Sequence, residues 1–262
     1  MRKKIYQSFI ELTNSLPLSK GLMTFSKSKL SKRMIPSYAK LFMIEQEEMG
    51  KNIAEYTSLH DLFIRELKIG SRQISALTES VSSPVDAVAE QFGTISEHSS
   101  IVVKNQQYSI EEMLENKELA KKYIGGQFIV LYLSPRHYHR IHSPIDGEIT
   151  EQYNLGSASY PVNRWGLTYG KAPLSRNFRK VTEMVCGLNG GHAAVIKVGA
   201  MFINSIETTH VSKTLKKGEE MGYFSFGSTV VLLFEKDRFR LSPGLQVQSE
   251  VKMGEEIASV LV

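Results

Sequence analysis

Beyond about residue 80 the chain is a succession of short apolar segments, β-branched or aromatic, separated by Gly, Pro or Asn. They are Gln91-Phe-Gly-Thr-Ile95, Ile101-Val-Val-Lys104, Phe128 to Leu133, Gly147-Glu-Ile-Thr150, Ala193-Val-Ile-Lys-Val198, Met201-Phe-Ile-Asn204, Thr229 to Phe234 and Ile257 to Leu261. Segments of this length and composition are strands, so they predict a largely β body. The first third reads differently. Pro36 to Gly50 carries Leu41, Phe42 and Ile44 ahead of an acidic cluster, and Ser58 with Asp61 resembles a capping box opening a helix through Leu67. Residues 105 to 124 read as the one clear helix inside the β region. With 262 residues and 42% hydrophobic content, the chain can bury a core as one large domain with an N-terminal appendage.

Two apolar-edged turns echo each other. Lys216-Lys-Gly-Glu-Glu-Met-Gly222 recurs as Lys252-Met-Gly-Glu-Glu-Ile-Ala258, each a charged glycine turn feeding a strand, although two copies are no repeat array. The single cysteine, Cys186, excludes an intramolecular disulfide and reads as a small buried hydrophobe.

Charge divides the chain. Residues 1 to 40 hold nine Lys or Arg and one Glu, leaving 23 basic and 26 acidic groups for the rest. Ile5, Phe9, Leu12 and Leu16 fall on one helical face with Tyr6 beside them, and Pro17 is expected to end that segment. Leu22-Met-Thr-Phe25 follows, then Lys27, Lys29, Lys32 and Arg33, the pattern of an amphipathic element lying on an anionic bilayer. A helix packed on its own domain with a solvated basic face is the plainer reading. No uncharged apolar run approaches the ~18 residues of a spanning helix, and the N-terminal cluster lacks the apolar core of a signal peptide. Nucleic acid is disfavoured, because the arm shows no binding motif and the body is slightly acidic.

The chemistry concentrates in three places. Gly227-Ser228-Thr229 sits between two apolar segments, and a glycine there lets the Ser228 oxygen approach the preceding carbonyl. The triplet is equally an ordinary turn entering a buried strand. Ser134-Pro-Arg-His-Tyr-His-Arg-Ile-His142 places three of the seven histidines, His137, His139 and His142, within six residues. Ser83-Pro-Val-Asp86 supplies a carboxylate. An imidazole can take a proton from a serine hydroxyl and a carboxylate can hold its tautomer, so the parts of a nucleophilic triad are present.

With these motifs the chain resembles the phosphatidylserine decarboxylases, pyruvoyl-dependent membrane enzymes that make phosphatidylethanolamine. The resemblance rests on Ser83-Pro-Val-Asp86, Tyr138-His-Arg-Ile-His142 and Lys217-Gly-Glu-Glu-Met-Gly…Gly227-Ser-Thr229, with a softer match at Asp61-Leu-Phe-Ile-Arg-Glu-Leu-Lys68 and Ser71-Arg72, covering about residue 57 to the end. It implies an α+β fold, in which a helical membrane-associating arm (residues 1–70) precedes a mainly antiparallel β catalytic domain (71–262) with lipoyl-like β elements. It implies that Ser228 attacks the Gly227 carbonyl, that the amide becomes an ester, and that β-elimination leaves a β chain of 1–227 and an α chain of 228–262. The first residue of the α chain would become the pyruvoyl cofactor, with no metal needed. By the same resemblance, His142 activates Ser228, Asp86 orients His142, and His139 serves the decarboxylation as proton donor or substrate holder. A Schiff base between the pyruvoyl ketone and the serine amine would then act as the electron sink for loss of carbon dioxide. The implied partners are phosphatidylserine, an anionic membrane surface and the chain's own two fragments, with a homodimer left open. The implied location is peripheral, on the cytoplasmic face of the cell membrane.

Departures from the family pattern raise specific expectations. Ala87 stands where relatives carry the glycine of Ser-Pro-x-Asp-Gly, and would strain a turn needing positive φ. The intact pattern appears at Ser143-Pro-Ile-Asp-Gly147, which makes Asp146 a rival to Asp86, although Pro144 and Gly147 favour a structural turn. Phe226 replaces the commonest leucine, and His137, where aspartate is common, reads as a loop residue. Residues 153 to 178, with the lone Trp165, read as a long loop over the site, either a lid that meets lipid or head group or an irregular surface connection. Arg136, Arg140, Arg164 and Arg176 are candidates for the phosphate or carboxylate of a substrate. The rivals are a zinc hydrolase built from His137, His139 and His142 with Asp86 or Asp146, and a non-enzymatic lipid-binding module.

Overall fold

The computed structural model describes residues 16–200, 206–225 and 227–262, with side chains from residue 21. The proposed helical face of residues 5 to 12, the strand Met201–Asn204 and the substitution at Phe226 lie outside the described residues. The helices are α1 (Leu16–Lys27), α2 (Ile35–Leu41), α3 (Leu59–Phe63), α4 (Ile110–Leu114), α5 (Lys117–Lys122), α6 (Arg164–Tyr169) and α7 (Pro173–Arg176). The strands are β1 (Ser80–Ser82), β2 (Ala87–Thr94), β3 (Ser100–Val103), β4 (Gln106–Ser109), β5 (Gln127–Leu133), β6 (Arg140–His142), β7 (Gly147–Leu155) and β8 (Arg179–Cys186). They continue with β9 (His192–Gly199), β10 (Ile206–Thr208), β11 (Thr214–Leu215), β12 (Glu220–Phe224), β13 (Ser228–Phe234), β14 (Phe239–Leu241), β15 (Glu250–Val251) and β16 (Glu256–Val260). The fold is α+β, and all the strand pairs of its sheets are antiparallel.

The central sheet has eight strands in the order β11-β7-β8-β9-β13-β5-β2-β15. β13 lies inside it between β5 and β9 and is buried on both faces. That is why Ser-Thr-Val-Val-Leu-Leu-Phe reads as a continuous apolar run rather than an alternation. Its side chains divide between two cores: Val230, Leu232 and Phe234 enter one, and Val231 and Leu233 the other. A third, smaller core gathers Ile35, Ala39, Ile44, Met49, Tyr56 and Leu62 in the arm.

On the first core lie two three-stranded sheets, β1-β16-β14 and β10-β12-β6, tied by matched turns. Ser83 Oγ donates to the Val85 carbonyl and Ser143 Oγ to the Ile145 carbonyl, both at 2.7 Å. The Met253 amide donates to Asp86 Oδ1 at 2.9 Å, and the Lys217 amide to Asp146 Oδ1 at 2.8 Å. The two halves also exchange bonds, because Ser82 N–H reaches the Pro144 carbonyl and His142 N–H the Pro84 carbonyl, each at 2.9 Å. The sequence echo is therefore a structural pair in which each Ser-Pro-x-Asp turn is closed by one Lys-x-Gly-Glu-Glu turn. Gly218 and Gly254 take the same positive φ in the two copies, +83° and +91°.

The expected strain at Ala87 does not arise, since neither Ala87 nor Gly147 has a positive φ. Gly147 is needed for another reason: a Cβ there would lie 2.5 Å from the Val185 carbonyl oxygen on β8. Ala87 begins β2, where its neighbour is the short edge strand β15, and fits fully buried.

Several elements differ from their sequence expectation. Residues 105 to 124 form β4 and two helices, because Glu115 turns left-handed at φ 48° and the Asn116 side chain caps α5 by accepting from the Leu119 amide. The helix expected through Leu67 stops at Phe63, although Ser58 Oγ accepts from the Asp61 amide as foreseen. Pro17 lies in the first turn of the Leu16–Lys27 range of α1, and the segment it was expected to end lies outside the described residues. The loop expected over 153 to 178 contains the end of β7 and the short helices α6 and α7. β8 was not foreseen, because it mixes charged with apolar residues, whereas β12 is the strand that the Lys216–Gly222 turn was expected to feed.

Candidate active site

The Gly227–Ser228 bond enters the central sheet at the start of β13, with Ser228 paired to Leu133 on one side and Gly199 on the other. Ser228 is fully buried, and among the described residues its hydroxyl oxygen has no hydrogen-bond partner. A buried hydroxyl left unpaired costs free energy, so it marks a site held for chemistry or for a ligand group. The Gly227 carbonyl accepts a hydrogen bond from the Ala200 amide at 2.9 Å, which would stabilise negative charge on that oxygen during attack. No other heavy atom lies within 4 Å of where a Gly227 Cβ would stand, so the residue leaves open space at the scissile bond.

Both residues line a cavity of about 410 Å³, whose walls include Tyr38 and Phe42 of the arm, Phe63, Leu133, Pro161 and Val162. Around α2, Leu30, Leu41 and Met43 are 69–73% exposed, among Lys29, Lys32, Arg33 and Lys40. Trp165 of α6, which directly follows the cavity-lining residues 161–163, is 58% exposed.

The histidine run straddles β6 beside this site. The His142 ring Nδ1–H donates to the Gly218 carbonyl at 2.8 Å, which leaves Nε2 as acceptor, and the Tyr138 hydroxyl lies 3.2 Å from it. Burial pushes the His142 pKa below its ordinary value, so the ring is a neutral base at neutral pH. His139 is completely buried, and its Nδ1–H donates to the His137 carbonyl at 2.8 Å while Nε2 has no partner among the described residues. Burial first, and then the charge of Arg65, hold the His139 pKa well below the usual range. Phe63, which lines the Ser228 cavity, stacks on the His139 ring with centroids 3.8 Å apart. Phe63 thus links the His139 ring to the cavity that Ser228 lines.

Asp86 is engaged elsewhere. Its Oδ1 accepts from Arg72 Nε at 2.8 Å and from the Met253 amide, its Oδ2 pairs with Arg72 Nη2, and Arg72 Nη1 reaches Glu48 at 2.8 Å. Among the described residues, no hydrogen bond joins Asp86, His142 and Ser228 into a continuous triad. The carboxylate's charge nonetheless acts to raise the His142 pKa, and the two residues' segments are joined through the Pro84 carbonyl. Asp146 occupies the equivalent turn and accepts the Lys217 amide.

His137 behaves as a loop residue, its Nδ1 accepting from the Ser134 amide at 3.0 Å, and burial pushes its pKa down to about 4. Its ring faces Glu250 in a second, charged pocket with Arg72, Asp86 and Arg136. Among the described residues no three His, Cys, Asp or Glu side chains converge as a metal set. Arg140 is bonded to Glu220 and Glu66. The Ala200 amide, the Gly218 carbonyl and the Tyr138 hydroxyl were not singled out in the sequence. The first two are backbone groups without a residue signal, whereas Tyr138 lay within the histidine motif.

The family model described as phosphatidylserine decarboxylase matches residues 59–259. The chain is 57% identical to a protein named phosphatidylserine decarboxylase proenzyme from Geobacillus sp. (strain WCH70), covering 98% of each chain. It is 57% identical to one of the same name from Anoxybacillus flavithermus, over 98% of this chain and 96% of the relative. One from Bacillus thuringiensis is 51% identical over 100% of this chain and 99% of the relative.

Proposed function

Because the chain belongs to the phosphatidylserine decarboxylase family, we propose that it is a self-processing carboxy-lyase that converts phosphatidylserine to phosphatidylethanolamine. The observation that carries the reading is the Gly227–Ser228 junction, where a buried, unpartnered hydroxyl follows a carbonyl already held by the Ala200 amide. In maturation, His142 takes the Ser228 proton at Nε2 after releasing the Tyr138 hydroxyl, and Oγ attacks the Gly227 carbonyl carbon. The Ala200 N–H meets the developing oxyanion. Asp86 favours the imidazolium by charge, the second role assigned to it.

Collapse of the adduct would break the 227–228 C–N bond to give an ester. β-Elimination would expel the residue-227 carboxylate with the serine oxygen, leaving chains of 1–227 and 228–262, and water would release ammonia from the dehydroalanine at position 228 to give the ketone. The pyruvoyl group at residue 228 fits the site, since its parent side chain is buried beside an open, apolar cavity. Its ketone, next to an amide carbonyl, supplies an electron sink for an amine substrate. Around it, Phe63, Leu133 and Val162 exclude water, and His139 holds or moves a proton at Nε2.

The arm, residues 1–70, would dock on an anionic bilayer through Leu30, Leu41, Met43 and the neighbouring cations, peripherally and on the cytoplasmic face. No helix among the described residues is long and apolar enough to cross a membrane. The catalytic unit, residues 71–262, carries the paired turns in the manner of lipoyl-like β elements. The test is release of carbon dioxide from phosphatidylserine in vesicles, together with labelling of the 228–262 fragment by a carbonyl-reactive hydrazide. Turnover without hydrazide labelling would contradict the pyruvoyl reading. Flotation with phosphatidylglycerol vesicles, compared with phosphatidylcholine ones, tests the arm.

A further inference from the structure

Arg65 is 4% exposed, leaves the arm just after α3, and contributes nothing to the maturation step. Its Nη2 donates to the Arg136 carbonyl at 2.6 Å and to the His137 carbonyl at 2.9 Å. The His137 oxygen is also the acceptor for His139 Nδ1–H at 2.8 Å. One carbonyl is therefore clamped between a guanidinium and the imidazole. Phe63, two residues before Arg65, covers the ring face.

We propose that Arg65 is a positioning residue for His139, holding the His137 carbonyl so that the imidazole stays in the Nδ1–H form with Nε2 free to exchange a proton. The proposal rests on the decarboxylase reading and adds a direction to it. A ring in that form enters turnover as a base. It takes a proton from the substrate ammonium, which frees the amine lone pair, and returns that proton to the α carbon after carbon dioxide departs and leaves its electron pair behind. One proton is taken up from solvent when the released amine returns to its ammonium form, and no electron is exchanged.

Charge acts the same way as the hydrogen bond. The ionisable groups bearing on the ring are Arg65, from the segment after α3, and His137, on its own loop, and each opposes an imidazolium. His137 is itself held neutral, with a pKa of about 4, so the persistent charge is that of Arg65. A fixed cation at that distance keeps a neutral base available to lower pH. The arm that carries Arg65 is the same segment that lines the cavity with Tyr38 and Phe42. Arm seating and the state of His139 are thus one mechanical unit.

The test uses matured enzyme and the variants Arg65→Met and Arg65→Lys, with carbon dioxide release measured across pH and ¹⁵N-histidine NMR reporting the tautomer. If the wild type matures but releases no carbon dioxide, the decarboxylase reading fails, independently of Arg65. If the wild type is active, Arg65→Met is expected to lower kcat roughly ten- to a hundredfold, with KM changed less than about twofold. The acid limb of kcat/KM should move to higher pH, because loss of the cation raises the His139 pKa. Arg65→Lys, which keeps the charge without the fork, should hold the limb near the wild-type position. An Arg65→Met enzyme with unchanged kcat, pH limb and His139 tautomer overturns the proposal. Should Arg65→Met fail to fold, Arg65→Lys decides: a drop in kcat with a mixed tautomer supports the clamp, and wild-type values for both overturn it.

Discussion

The turns at Ser83–Asp86 and Ser143–Asp146 are built alike, yet different groups flank them. Each serine closes its own turn, each aspartate takes a backbone amide from a Lys-x-Gly-Glu-Glu turn, and each turn accepts a bond from the other half. What differs is what flanks them. The residue ahead of the second turn is His142, whereas its structural counterpart ahead of the first is Ser82. The first aspartate carries Arg72, while among the described residues the second has only the Lys217 amide as a hydrogen-bond donor to its side chain. A duplicated frame supplies rigidity twice, and single substitutions on it supply a base and a buried charge once.

The strongest way to break this comparison is to exchange its unequal members. His142→Ala should abolish chain cleavage, because no other imidazole in the run has both a fixed tautomer and a link to the Ser83–Asp86 turn. Ser82→Ala should leave cleavage intact, since the Ser82 hydroxyl has no partner to lose. A time course on a denaturing gel separates the two, and equal cleavage in both would remove His142 from the mechanism.

The aspartates give the next largest difference. Asp86→Asn leaves Arg72 with a weakened partner in a nearly buried pair, a class of change that costs about 3–5 kcal/mol, and should slow cleavage. Asp146→Asn keeps an acceptor for the Lys217 amide and should cost about 1 kcal/mol or less, with cleavage at the wild-type rate. Thermal unfolding and cleavage rate measured on both variants check this, and the opposite ranking would return Asp146 to the orienting role.

The smallest effect concerns the residue after each turn. Gly147→Ala forces a Cβ toward the Val185 carbonyl and should destabilise by about 1–3 kcal/mol. Ala87→Gly should cost only about 0.5–1 kcal/mol, through chain entropy. A melting temperature lowered more by Ala87→Gly than by Gly147→Ala would contradict the packing reason given for that glycine.

Much of this was legible in the chain itself. The β body, the arm and the paired charged turns follow from periodicity and from the echo, since those features are local. Cys186 proved to be a buried hydrophobe, as its type suggests. β8 was hidden because Arg179, Lys180 and Glu183 break its apolar run, and Arg179 is buried only by virtue of long-range bonds to Met113 and Glu112 carbonyls. The helix at 105 to 124 was over-extended because a left-handed Glu115 obeys tertiary contacts rather than propensity. At the site, Ser228 and the histidines were named from their types. The engagement of Asp86 by Arg72 and of the Gly227 carbonyl by Ala200 joins residues far apart in sequence, and the second of these uses only backbone, so neither has a local signature.

The central claim is that the chain cuts itself between Gly227 and Ser228, and intact mass under denaturing conditions tests it most directly, with Ser228→Ala as the control. The expected spectrum contains a fragment ending at Gly227 and a small fragment beginning with a pyruvoyl group at position 228, both absent from the variant. A single full-length mass for the wild type after prolonged incubation with anionic vesicles would contradict the claim.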